Sequence, residues 1–444
     1  MTNDHMILGL ALTNNFGAHP AAWRMHHVDP GAYTDIDVTA KHAQTAERGG
    51  LDFVFIADRL FLTGNLAASN PLFNMDPIVT LAAVARATER IGLVATASTS
   101  FTEPYLLARQ LKALDVISHG RVGWNAVPSF EPDAFANFGK TPPARENKYE
   151  RLHEVIQIVQ ALWGSWGHDA GTPDQEGMFA DPAHVQPINL YGSHVGTRGP
   201  LPVPPSEQGQ PVILMPASSG LGLQAAAMYA DVIIGMPSSI QEGRAQREMV
   251  RQAVAAAGRD PEDVKFLAFV GFTIGTTELE ALEARRALDA NLNIQEQLPR
   301  LSSYLGLQQQ VTEPDKPLSA AQLAAVRARP EDARSRRAVA LAQAGWSPRD
   351  ILAHAVFDPY PAVVGTAEQV ADHLQEWFEA GAADGFMLNF DDFSTEIGHF
   401  VDQVVPVLRQ RGIFPDTYTG KTFRQHAGLP PQYGLDPVLA PSRT

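Results

Sequence analysis

The chain has 444 residues, 45% of them hydrophobic and 19% charged, which is the composition of an ordinary folded globular protein and excludes an intrinsically disordered one. Its 49 acidic residues outweigh 34 basic ones, giving a net charge of −15 that repels a phosphate backbone and an anionic membrane surface, so neither nucleic acid nor membrane is expected as a partner. There is no cysteine, which removes disulfides, thiolate nucleophiles and zinc–thiolate or iron–sulfur centres together.

The first residues, MTNDHM, carry an acid and no basic n-region, and no apolar run is long enough to span a bilayer, so a cytoplasmic location is expected. From there, short β-branched or apolar runs alternate with longer helical patterns. Strands are predicted over 6–12, 53–57, 91–97, 122–127, 212–215, 232–235, 266–274 and 386–389. Helices are predicted over 40–48, 77–88, 105–117, 149–163 and 223–230, with a last one over 400–409. Eight βα repeats predict a closed (β/α)8 TIM barrel.

Such a barrel typically needs about 250 residues, so large insertions must hang from it. Residues 165–210, rich in Gly, Pro and Asp, form one before strand five; residues 276–361, helical and charged around 320–342, form another between strands seven and eight. Residues 1–411 are then a single barrel domain. The Pro- and Gly-rich stretch 412–444 is expected as an extended surface arm.

Function in this fold sits at the carboxyl ends of the strands. Polar residues gather there: Asn14, Asn15 and His19 after strand one, Asp58 and Arg59 after strand two, Thr96, Ser98 and Thr99 at strand three, Asn125 and Ser129 at strand four, Ser218 and Ser219 after strand five. No nucleophile–base pair stands out, and a site of amides and hydroxyls suits a bound cofactor better than acyl transfer. Ser218-Ser219-Gly220 opens the predicted helix after strand five, whose free amides and positive end would attract a phosphate; the plainer reading of Ser219 is an N-cap. Arg145 and Tyr149, four apart, share one helix face and could offer a guanidinium and a phenol to that same phosphate.

Three other patterns compete. Gly220-Leu-Gly222-Leu-Gln-Ala225, with Glu242 further on, matches a G-x-G-x-x-A dinucleotide fingerprint and would make the chain an NAD(P)-dependent oxidoreductase, but it falls in mid-chain rather than in a first βαβ unit. Glu150-x-x-His153 and Glu396-x-x-His399 have the spacing of di-iron ligands without the helical bundle such sites need. His26, His27 and Asp29 read as a lid or surface loop. No metal site is expected from any of them.

Several motifs in order carry a resemblance: FIAD at 55–58, ATASTSFTEPY at 95–105, GRVGWNAVPS at 120–129, Tyr149, RGPLPVP at 198–204, PVILMPASSG at 211–220 and GAADGFMLNFDDF at 381–393. Together they resemble the branch of the bacterial-luciferase superfamily holding two-component FMN-dependent monooxygenases of nitrilotriacetate, long-chain alkanes and dibenzothiophene sulfone. The resemblance implies an oxygenase that takes reduced FMN from a separate NAD(P)H:flavin reductase and uses dioxygen on a small organic substrate. It assigns flavin contacts to Asp58, Thr96, Tyr149, Ser218 and Ser219, and places His19 near the reacting edge of the flavin. The chain departs from the family in having Arg145 where histidine is usual, NAVPS for NVVTS and MPASS for QAGSS, which reshapes the pocket over the ring. A homo-oligomer is expected, and a flavin-binding barrel without catalysis is the remaining alternative.

Overall fold

The computed structural model describes residues 5–433 apart from 65, 67–69, 72–74, 168, 169, 172 and 176. Eight parallel strands close on themselves: β1 Ile7–Ala11, β2 Phe53–Ile56, β3 Gly92–Ser98, β4 Val122–Val127, β5 Val212–Pro216, β6 Val232–Gly235, β7 Lys265–Gly275 and β8 Gly385–Phe390. Each pairs with the next, and β8 returns to β1 with Ile7 opposite Gly385, so the (β/α)8 barrel expected from the alternation is the fold.

The strands are buried on both faces, which is why they read as nearly continuous apolar runs. Their inward residues, among them Phe53, Val94, Leu214, Ile234, Leu267 and Met387, fill the barrel; the outward ones form a larger core against the surrounding helices. These helices are α1 Ile36–Gly49, α2 Pro77–Ala87, α3 Pro104–Ile117, α4 Arg145–Trp163, α5 Gly220–Tyr229 and α6 Ile240–Ala256, with a helical run over Phe393–His399, Phe400–Val404 and Val405–Gln410 after β8.

Insertions stand before β5 and between β7 and β8. The first carries a 3-10 turn, Pro182–His184, and a short hairpin, Leu190–Tyr191 with Gly196–Thr197. The second begins with α7 Glu278–Asp289, continues through the helices Ile294–Tyr304, Ala320–Ala325, Ala333–Gln343 and Pro348–Ala353, and has its own apolar core around Leu298, Leu301, Ala338 and Ile351. It ends in a strand the sequence reading lacked, Ala362–Thr366, which pairs with the upper half of β7, and then α8 Ala367–Glu379.

The expected surface arm needs correction. Over its described part, 412–433, the C-terminal stretch closes the amino end of the barrel. Phe423, fully buried, lies tilted against Phe53 with ring centres 5.2 Å apart and occupies the space a side chain at Gly92 or Gly123 would need. Arg424 beside it is buried too, paired at 3.1 Å with Asp231 and donating to the Gln210 carbonyl. Composition marked the stretch as irregular; burial of one aromatic ring made it part of the core.

Candidate active site

A cleft of about 260 Å³ opens at the carboxyl ends of β2 to β5. Asp58, Thr96, Ser129, Tyr149, Met215 and Gly222 are among its walls. The barrel register sets Thr96 directly beside Asn125, whose amide Nδ2 donates to the Thr96 hydroxyl at 2.9 Å. That bond aims the rest of the amide, and Asn125 Oδ1 is buried with no partner. A buried acceptor without a donor costs about 1–3 kcal/mol, a cost a ligand N–H at that point would remove. Ser98 and Ser129 hydroxyls meet at 2.9 Å on the same wall. Burial, with Asp76 nearby, pushes the Asp58 carboxyl up to about 6.

The second half of the site is the start of α5. Ser219 stands at the N-cap position, yet its hydroxyl makes no capping bond. Gly220 adopts φ +58°, a conformation that favours glycine, and a side chain at Gly222 would lie 3.1 Å from the Tyr149 phenol. Arg145, at the first turn of α4, reaches towards Gly220 and lies over the Tyr149 ring at 5.9 Å. Free helix amides, two exposed hydroxyls and a guanidinium thus converge around a surface kept clear of side chains, the physical recipe for an anion cradle.

Asp58, Thr96 and Tyr149 therefore share one cleft, and Arg145, Ser218 and Ser219 border it through α5. His19 does not join them. It lies at the same end of the barrel, in the loop after β1, but is 4% exposed. Its Nδ1 accepts from the Ala21 N–H at 3.2 Å, so the proton sits on Nε2 and is donated to Asp289 of α7 at 3.0 Å. The E-x-x-H pairs are also dispersed: Glu150 meets His194, and His153 meets the Tyr229 hydroxyl. His27 pairs with Asp392 at 2.6 Å and Asp29 caps a 3-10 turn.

One cluster escaped the sequence reading. Arg285 of α7 holds Asp391 after β8 at 2.6 Å and Asp358 of the insertion at 3.2 Å, with Asp289 and His19 alongside. Asp391 also takes the Thr273 hydroxyl. The arginine is 73 positions from Asp358 and 106 from Asp391, so no local spacing announces the cluster; the Asp-Asp pair after β8 was the one signal available.

A parallel barrel with a polar, partly enclosed cleft at its strand ends, beside an uncapped helix start, has the architecture of a cofactor-dependent enzyme. The profile of the family described as luciferase-like monooxygenase matches residues 19–384, and the chain belongs to that family of flavin monooxygenases. It is 35% identical over 432 residues to N-acetyl-S-(2-succino)cysteine monooxygenase of Bacillus subtilis, covering 95% of this chain and 96% of that one. It is 34% identical to component A of nitrilotriacetate monooxygenase from Aminobacter aminovorans, over 96% and 97% of the two chains. The solved structure of EDTA monooxygenase from Chelativorans sp. BNC1 superposes with a TM-score of 0.81 at 33% identity, covering 96% of this chain and 99% of that one. Among the described residues no helix is long and apolar enough to cross a membrane.

Proposed function

We propose that this chain is the oxygenase of a two-component system: it takes reduced FMN from a separate NAD(P)H:flavin reductase and uses dioxygen to oxygenate a small organic molecule. The observation that carries this reading is the uncapped start of α5 facing Arg145 and Tyr149, a cradle that matches one terminal phosphate. Arg145, Ser218, Ser219 and the first amides of α5 would hold the phosphate, with the Tyr149 phenol beside them. Thr96, Asn125 and Asp58 would hold the polar edge of the ring, where the unpartnered Asn125 oxygen fits a ring N–H. Reduced FMN, when bound, supplies the electrons with which dioxygen is activated.

The chain's own task is positioning and exclusion of water. Met215 and Pro216, in place of an amide-bearing turn, make the wall over the cleft apolar. With a carboxyl pushed up to about 6, Asp58 can hold or release a proton near neutrality. For His19 to serve the reacting edge its Nε2 proton must leave Asp289; as the ring stands, it ties α7 to the β1 loop, and this reading gives it that positioning role.

The test is an oxygen-uptake assay with reduced FMN, a flavin reductase and a panel of sulfones, aminopolycarboxylates, alkanes and heteroaromatics, with product analysed for an atom derived from labelled dioxygen. Substrate-dependent incorporation is expected. FMN binding without incorporation for any substrate would leave a non-catalytic flavin-binding barrel, and stabilisation by NAD in place of FMN would revive the dehydrogenase reading.

A further inference from the structure

The barrel rim is incomplete on the side opposite the FMN cleft. The lower part of β7 pairs with β6, Lys265 to Ala268 against Val232 to Gly235, whereas its upper part, from Gly271, pairs instead with the strand Ala362–Thr366. Between the end of β6 and that strand a cavity of about 590 Å³ is left open, roofed by the insertion helix Ala333–Gln343 and backed by α8. Tyr360 forms the part of its wall that touches the barrel strands. Its ring stacks on Phe269 of β7 at 5.7 Å, and its hydroxyl takes the Asn389 amide at the end of β8.

The polar lining is unusual for so acidic a chain. Arg337 faces the cavity and donates one N–H to the Ala362 carbonyl at 2.7 Å, but among the described residues no carboxylate lies within ion-pair distance of it. Asp358, the acid in the cavity wall, is already held by Arg285. His373 of α8 has its Nε2 buried with no partner, and burial together with the Arg337 charge pushes its imidazole down to about 4, so it is neutral at pH 7. Arg334, one helical turn before Arg337, and the Ser238 and Ser239 loop complete the polar wall, while Val356, Val363 and Trp377 supply apolar surface. Asp358 attracts Arg337 only through space while it pairs with Arg285, and the remaining planar donors of this largely enclosed guanidinium are matched by a carboxylate.

We infer that this notch is a binding site for an organic carboxylate, with Arg337 as the group that recognises it. On the reading of the chain as a monooxygenase, the ligand is the substrate, and Arg337 restricts it to carboxylate-bearing molecules that reach the barrel mouth past Tyr360.

The experiment uses succinate as probe and succinamide, its uncharged counterpart of the same shape, as control, each titrated by calorimetry and thermal shift into the full chain with and without saturating FMN. Succinate should bind saturably and succinamide should not. Arg337→Leu should weaken succinate about ten- to a hundredfold, the loss of a charge-assisted pair, with Arg337→Lys recovering part of it. FMN affinity and melting temperature of the free variants should stay at wild-type values, and Arg145→Ala should leave succinate binding intact. Equal binding of succinate and succinamide, no saturable binding, or a loss in Arg145→Ala but not in Arg337→Leu overturns the site. Arg337-dependent succinate binding by a chain that fails to bind FMN keeps the site and removes the flavin reading. Efficient turnover confined to uncharged substrates overturns the substrate assignment alone.

Discussion

Replacing Arg145 by alanine isolates the phosphate grip. The side chain is exposed at the first turn of α4, so water competes for its guanidinium and screens its charge. A charge-assisted hydrogen bond contributes about 1.5–3 kcal/mol in protein interiors; at an exposed position the lower figure applies, which is roughly a tenfold loss of FMN affinity. Riboflavin has the same ring and ribityl chain without the phosphate, so it should bind wild type weakly and Arg145→Ala no worse. Tyr149→Phe, by contrast, removes a phenol that is 8% exposed and 3.1 Å from the open face of Gly222, and should also cost FMN more than riboflavin. Titration of flavin fluorescence against wild type and each variant reads all of these affinities. Raising the salt concentration should erode the FMN advantage in wild type and do nothing in Arg145→Ala. Equal losses for both flavins would refute the reasoning, because they would show Arg145 acting through the ring or through the fold.

Two further outcomes follow from burial. The Asp58 carboxyl, pushed up to about 6, binds its proton more tightly folded than unfolded, so its cost to stability is fully present above pH 6 and disappears as the pH falls towards its ordinary value near 4. Asp58→Asn should therefore raise the melting temperature at pH 7.5 and give a shrinking gain down to pH 4.5, and a gain independent of pH would count against the shift. Phe423→Ala removes a fully buried ring from the closed end of the barrel and should cost about 3–5 kcal/mol in urea unfolding with FMN affinity unchanged; a loss below about 1 kcal/mol would mean that the ring does not fill the barrel.

What the sequence announced was whatever repeats or lies close together. The eight strands stand out because each is an apolar run bounded by turn residues, and those over Val122–Val127 and Val232–Gly235 fall at the expected bounds. Asp58 and Thr96 were legible because a strand end in a parallel barrel fixes where a side chain must emerge, and Tyr149 because its spacing from Arg145 puts both on one helix face. The strand Ala362–Thr366 was missed because its β-branched core is only Val363-Val364, directly after a Pro-Tyr-Pro turn, and strand character there comes from pairing with β7 rather than from propensity. Arg285, Asp358 and Arg337 were invisible for a different reason: the insertion that carries them folds back over the barrel mouth, and only the packing of that layer tells which of its many charges face inward. His19 was placed at the right end of the barrel, but its bond to Asp289 depends on that same fold-back.

The ring that stops the amino end of the barrel follows every strand of that barrel in the order of synthesis. All eight strands have left the ribosome before Phe423 has, so a nascent barrel waits with a hollow under Gly92 and Gly123, a partly folded species of the kind chaperones shield. The same arrangement governs dismantling. A protease machine that pulls on the chain from beyond Phe423 meets a stopper pinned by Arg424 to Asp231, and it must draw Phe423 out through the floor of the barrel before any strand is exposed to it. Resistance to that kind of degradation therefore resides at the end of the molecule farthest from the chemistry, where it can be strengthened or weakened without touching the cleft.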